Sequence, residues 1–330
     1  MAAANELPST AGPYGLQTLA EPVFPTLDIV FVHGLTGNRE TTWTHKTTRT
    51  FWPSDLLPKD LPNARILTFG YDADVVRALD AASSNSLRDH GKSLAHELAM
   101  NKMRARAIDR PTFFVAHSLG GLVCEQGLLI CRNAAEAHLN ALLDAVKGII
   151  FLGTPHAGSD LARWGNVLTG ISSIFSKPNR DIVRVLTPGS EMLAAVQQDF
   201  HTMLDTRREI GKKMKIFCFY EEYRVGGVGE IVPKHSAILP GYESQSIHSN
   251  HMSMARFTGL DDGGYIMVSG RLWLWAQELE QIPAQLPKER EKRIEYSGTV
   301  NMMGSGSIFQ GNANIGSLNL GRTNAACRNL

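Results

Sequence analysis

The chain has 330 residues, 43% of them hydrophobic and 20% charged, enough to bury one large core with an appendage or two smaller cores. Its 33 Lys and Arg against 32 Asp and Glu leave a formal net charge of +1, so no global field marks nucleic acid or an acidic membrane as the main partner. The N-terminal stretch MAAANELPSTAGPYGLQTLAEP has neither a basic leader nor a continuous apolar run, and no later segment approaches the roughly 18 apolar residues of a membrane span, so a cytoplasmic protein without a transmembrane segment is expected.

Residues 1–27 read as an N-terminal extension, and an α/β domain is expected over 28–281. Short apolar runs recur at DIVFVHG (28–34), ARILTFG (64–70), TFFVAH (112–117), VKGIIFLG (146–153) and MKIFCFY (214–220), alternating with helix-length segments. That alternation predicts a mostly parallel central sheet with helices on both faces. Leu87, Leu94 and Leu98 sit at helical spacing within 87–108, and SLGGLVCEQGLLICRNA (118–134) predicts a more deeply buried helix that begins at the serine. The four cysteines form no CxxC pair, which suits a reducing compartment; Cys124 and Cys131 fall on that helix as core fillers, and no metal or cofactor is expected. Leu161, Trp164, Leu168, Ile171 and Phe175 step by three and four inside an insertion at about 159–210. Two readings of it are open, a lid whose apolar underside lines an acyl pocket and an ordinary helix packed on the core. The basic run RREIGKKMK (207–215) reads as a solvated helix face. Tyr265, Val268, Leu272, Trp275 and Leu279 mark a terminal amphipathic helix.

After a Pro-rich, mixed-charge linker at 282–295, the tail at 296–330 differs in kind. From Asn301 to Gly321 there is no charged residue, glycine recurs at 306, 311, 316 and 321, and GSIFQG is echoed by GSLNLG. Such a composition cannot build a core within one chain, so disorder is its ground expectation.

Chemistry concentrates around Ser118 in A-H-S-L-G. Small residues two before and two after the serine allow a strand to turn sharply into a helix and expose the hydroxyl as a nucleophile, and the helix start favours negative charge there. Ala116 stands where glycine is usual. Acyl transfer needs donors for an oxyanion; the glycine loop in FVHGLTGN (31–38) points to the backbone amide of Leu35, alongside that of Leu119. The alternative for His33-Gly34 is a simple strand-ending turn. A base after the serine in chain order falls on His251 in IHSNHMSMARF, with His248 as competitor. For the acid, Glu221 at the end of KIFCFYEE is favoured and Glu230 is kept as the alternative. His156 in FLGTPHAGS precedes the acid in sequence and reads as a loop organiser or substrate contact.

VHGLTGN, FWPSDLLP, RILTFGYDADV, AHSLGG, FLGTPHAGS, FYEE, VPKHSA and NHMSMARF together resemble, in this order, the serine-esterase and lipase-like α/β-hydrolases that accompany NACHT and NB-ARC receptors in filamentous fungi. That family is related to the PGAP-type and serine-active-site lipase-like proteins, and the match covers approximately 28–280. The resemblance implies Ser118 as nucleophile, Glu221 as acid, His251 as base, and an ester or lipid-like substrate. It also implies an effector role in self/non-self recognition or cell death, with an NLR receptor carrying a matching motif as partner and possible peripheral contact with a membrane. The tail resembles the short amyloid signalling motifs of such effectors. Ile308, Phe309, Ile315, Leu318 and Leu320 would form dry interfaces and Asn312, Asn314 and Asn319 side-chain ladders in self-association through 296–321. A catalytically silent hydrolase fold acting as an adaptor is the competing expectation.

Overall fold

The computed structural model describes residues 14–34, 37–72, 83–156, 180–225 and 230–281. Their centre is a seven-stranded sheet in the order β1-β3-β2-β4-β5-β6-β7. The strands are β1 (Gly15–Ala20), β2 (Leu27–Val32), β3 (Ala64–Gly70), β4 (Thr112–His117), β5 (Val146–Leu152), β6 (Lys215–Glu221) and β7 (Glu243–Ile247). All neighbours pair in parallel except β1, which runs antiparallel to β3. β2, β3 and β4 are buried at every position, as expected of continuous apolar runs covered on both faces.

Two layers of helix enclose the sheet. On one side lie α3 (Ser83–Arg104), α4 (Gly120–Asn133), α5 (Ala137–Ala145) and the buried face of α6 (Arg180–Glu209). Leu94, Leu98, Val123, Leu128, Phe200 and Met203 meet Val30, Val32, Leu67 and Phe69 there. The other side holds the short helices α1 (Trp52–Asp55) and α2 (Leu57–Asp60) and the terminal helix α8 (Gly263–Gln281). Val268, Leu272 and Trp275 of α8 pack with Ile29, Phe31, Phe113 and Leu152, as the spacing predicts. A four-residue helix, α7 (Lys234–Ala237), leads towards β7.

Both edge strands depart from the sequence reading. β1 falls inside the stretch read as an extension, and β7 where no element is expected; β1 is mostly half-buried and β7 mostly exposed, so they lack the continuous apolar run by which inner strands are recognised. The helix after Ser118 begins at Gly120, two residues later than expected, because Ser118 itself occupies the turn. Arg207 in the basic run is buried and bonded to Asp144 at 3.1 Å, whereas Arg208 is exposed as predicted. The predicted helix at 161–175 lies outside the described residues, and the Arg180–Glu209 part of the insertion is a helix whose Leu193, Val196, Phe200 and Leu204 are buried. The contacts divide the chain after Ile282, and the linker and tail lie outside the described residues.

At the amino ends of the strands, Asp28 of β2 is fully buried among three cations. Arg65 Nε lies at 2.7 Å, Lys102 Nζ at 2.9 Å and Arg110 Nη1 at 3.1 Å. The carboxyl ends lead into Ser118 after β4 and end on Glu221 of β6. From β2 the chain passes to β3 on one side, while β4 lies on the other, so a crevice opens beyond the ends of β2 and β4.

Candidate active site

Two segments leave that crevice. After β4, Ser118 takes φ of +53°, a left-handed conformation rare for a residue with a side chain. Its N–H donates to the Leu152 carbonyl at 2.9 Å, and its carbonyl accepts the Thr154 hydroxyl at 2.9 Å and the Gly121 N–H at 3.1 Å. The turn closes only because its neighbours are small. A Cβ on Gly120 would lie 2.2 Å from the His33 carbonyl oxygen, and one on Gly34, in the segment after β2, would lie 2.7 Å from Ser118 Cβ. The two glycine-containing segments interlock through these contacts. Leu119 is buried at the N-terminus of α4; Leu35 lies outside the described residues.

The imidazole of His251 meets this elbow. Its Nε2 accepts the Ser118 hydroxyl at 3.0 Å, and the ring is 2% exposed. Burial, with the neighbouring His117 adding to it, holds its pKa well below the usual 6.5. The segment that carries it is pinned through its main chain. His117 Nε2–H donates to the His251 carbonyl at 3.0 Å, and the Trp52 indole N–H donates to the Ala255 carbonyl at 2.9 Å. Asn250 Oδ1 accepts the amides of Met252 and Ser253, both at 3.1 Å. Burial pushes His117 down to about 4, so that ring is neutral and available as a donor. His248 points elsewhere: it is exposed and pairs with Glu222.

Glu221, the last residue of β6, presents its second oxygen to His251. Oε1 accepts the amides of Ile231 at 2.7 Å and Val232 at 2.8 Å, while Oε2 lies 3.9 Å from His251 Nδ1. That separation is an ion-pair contact longer than a hydrogen bond, and both atoms are buried without a hydrogen-bond partner in the described structure. Resting sites commonly show such loose contacts, which tighten when substrate binds. Burial raises the Glu221 carboxyl above its usual value, the amides of Val232 and Ile231 opposing it. Glu230 is exposed, and its charge disfavours ionisation of Glu221.

Two other histidines serve the framework. His33 is fully buried, donates from Nδ1 to the Gly34 carbonyl at 2.9 Å, accepts the Tyr71 amide at 3.3 Å, and stacks on the Tyr71 ring at 4.4 Å. Burial lowers it to about 4. It shapes the glycine segment and is shut off from solvent. His156 lies 3.4 Å from Glu125 of α4 and 3.3 Å from Gln197 of α6, and its amide donates to the Ser236 carbonyl. Burial pulls its pKa down, but Cys218 and Glu125 outweigh that and raise it to about 9. These contacts join the segment after β5 to α4, α6 and α7. Sequence reasoning missed His117, Trp52 and Thr154, whose bonds all run to main-chain carbonyls. Among the described residues no cluster of His, Cys, Asp or Glu could hold a metal ion, and no helix is long and apolar enough to cross a membrane.

A buried serine on a strained strand-to-helix turn, with histidine and glutamate following from later strand ends of a mostly parallel sheet, defines an α/β-hydrolase. The crystal structure of the Bacillus licheniformis lipase BlEst2 in mature form shares the fold, with a TM-score of 0.51 and 21% identity over 80% of this chain and 99% of that one. Residues 28–207 match the family described as "Putative serine esterase (DUF676)", and the chain belongs to that family. Among curated proteins it is similar to Protein SERAC1 of Mus musculus, 30% identical over 249 residues, and of Danio rerio, 34% identical over 251 residues. Each match covers 69% of this chain and 36% of the relative, so the chain spans about a third of the length of these relatives.

Proposed function

We propose that the chain hydrolyses carboxylic esters through an acyl-enzyme on Ser118. The observation that carries this reading is the 3.0 Å contact between His251 Nε2 and a serine held at φ +53°. In the first step His251 takes the hydroxyl proton as Ser118 Oγ attacks the ester carbonyl. The backbone amides of Leu119 and Leu35 stabilise the oxyanion, and the alcohol leaves with the proton returned by His251. Water, deprotonated by the same imidazole, then releases the acid. Glu221 orients His251 and stabilises its charged form, as its place 3.9 Å from Nδ1 supports. Leu119, next to the nucleophile, packs in one apolar cluster with Leu122, Leu193, Ile231 and Val232, and an apolar neighbourhood of this kind suits a lipid-like acyl group.

A fluorophosphonate probe tests the assignment. Wild type should label, whereas Ser118→Ala and His251→Ala should not. Glu221→Gln should label roughly 10²–10⁴-fold more slowly and Glu230→Gln at the wild-type rate. Equal labelling of wild type and Ser118→Ala would overturn the nucleophile, and slow labelling confined to Glu230→Gln would move the acid.

On the whole-chain level, the same reading makes the protein an effector of an NLR-type cell-death or self-recognition pathway, with the tail as its assembly element. The uncharged, Gly- and Asn-rich segment Asn301–Gly321 with its repeated hexapeptide supports this. A peptide of 296–330 should then form fibrils with a cross-β spacing of ~4.7 Å. A peptide that stays monomeric and unstructured at high concentration would reject tail-driven assembly.

A further inference from the structure

Besides the three side chains just assigned, one buried hydroxyl touches the nucleophile's own backbone. Thr154, two residues beyond β5, is completely buried and donates from Oγ1 to the Ser118 carbonyl at 2.9 Å. Just before it, the Leu152 carbonyl accepts the Ser118 amide at 2.9 Å. Both peptide groups of Ser118 are therefore gripped from the end of β5.

The gripping segment is itself fixed at several points. Gly153 has φ of +59°, and its N–H donates to the Phe219 carbonyl at 2.8 Å, two residues before Glu221. A Cβ on Gly153 would lie 3.0 Å from the His251 ring, so the segment passes directly under the base. Three residues further, His156 is tied to Glu125 at 3.4 Å, on the helix that starts just after Ser118. Thr154 also packs tightly on that helix, because a Cβ on Gly121 would meet both its Cγ2 and its Oγ1 at 2.3 Å.

We propose that the Thr154 hydroxyl is a positioning group for the nucleophile, holding the strained elbow so that Ser118 Oγ stays within reach of His251. A left-handed backbone at a residue with a side chain is strained and persists only where its surroundings overdetermine it. Of the bonds to the Ser118 peptide groups, those of Leu152 and Gly121 come from main chain and that of Thr154 from a side chain, hence the one a substitution can remove. Without it the carbonyl keeps the Gly121 amide but loses its tie to β5, and Oγ drifts from the attacking position. The proposal rests on Ser118 being the nucleophile.

Three substitutions separate the hydroxyl from the methyl group. Thr154→Val keeps the methyl and loses the hydroxyl, Thr154→Ser does the reverse, and Thr154→Ala loses both. Fluorophosphonate labelling and hydrolysis of p-nitrophenyl butyrate are measured on each, with thermal melting to set the assay temperature below unfolding. Since about 1 Å of misplacement can cost roughly 100-fold, Val and Ala variants should lose at least about tenfold in labelling rate and kcat with KM nearly unchanged, and Ser should restore both. Wild-type rates in Thr154→Val would overturn the proposal, as would a loss that follows the methyl, with Ser as slow as Ala. Should Thr154→Val not fold, the Ser and Ala pair decides alone: fast Ser with slow Ala supports the role, and equal rates reject it. Failure of the underlying reading looks different, since Ser118→Ala would then label like wild type.

Discussion

At the scale of single residues, the proposed mechanism makes His251 the group that sets how the site responds to acid. The neutral imidazole is the form that can take the serine proton. Because burial, aided by His117, holds its pKa well below 6.5, that form survives to lower pH than for an exposed histidine. Activity should be full at neutral pH and lost as pH falls through the native value, placing the acid limb of kcat/KM below 6.5. A limb centred at or above about pH 7 in a profile of ester hydrolysis would contradict this. Ser118 could be found in the sequence because a strained elbow demands small neighbours, and Gly120 and Gly34 are there in plain letters. His117 stands next to it in the same motif, yet its partner is a carbonyl 134 residues away, and a main-chain acceptor leaves no mark on residue type. Thr154 escaped notice for the same reason, 36 residues from its acceptor.

Among elements, the sheet's amino end is organised around charge. Asp28 ties β2 to Arg65 on β3, to Lys102 on α3 and to Arg110 just before β4. Burial alone would raise the Asp28 carboxyl, but the bond from Arg65 and the charge of Lys102 outweigh it and hold the pKa below its usual 3.8. A carboxylate lowered in the folded state contributes stability above its unfolded value, and that contribution disappears as pH falls through the native one. Asp28→Asn leaves three cations facing a neutral amide, so the fold should lose about 3–5 kcal/mol in denaturant titration at neutral pH. The difference from wild type should persist down to the usual carboxylate value of 3.8 and shrink only as pH falls below it. Equal stability at pH 7 would show the network to be dispensable. Nothing in the sequence announced this cluster, since an Asp opening a strand reads as an ordinary boundary residue.

On the scale of the whole molecule, the inner strands β2 to β6 were legible because burial on both faces demands uninterrupted apolar runs, and ARILTFG and TFFVAH match β3 and β4 residue for residue. The edges were not: ESQSI in β7 is polar and mostly exposed, and its strand character comes from pairing with β6. Chain order of serine, glutamate and histidine was readable, while the 3.9 Å gap between Glu221 and His251 depends on how the segment at 231–232 grips the carboxylate. The two poles of the sheet are thus built for different purposes. Where the strands end, torsion is concentrated; where they begin, a single carboxylate knots three cations from neighbouring segments together. A lineage that silenced its chemistry by losing the serine hydroxyl would leave the knot untouched, so a folded, inert descendant is only one substitution away.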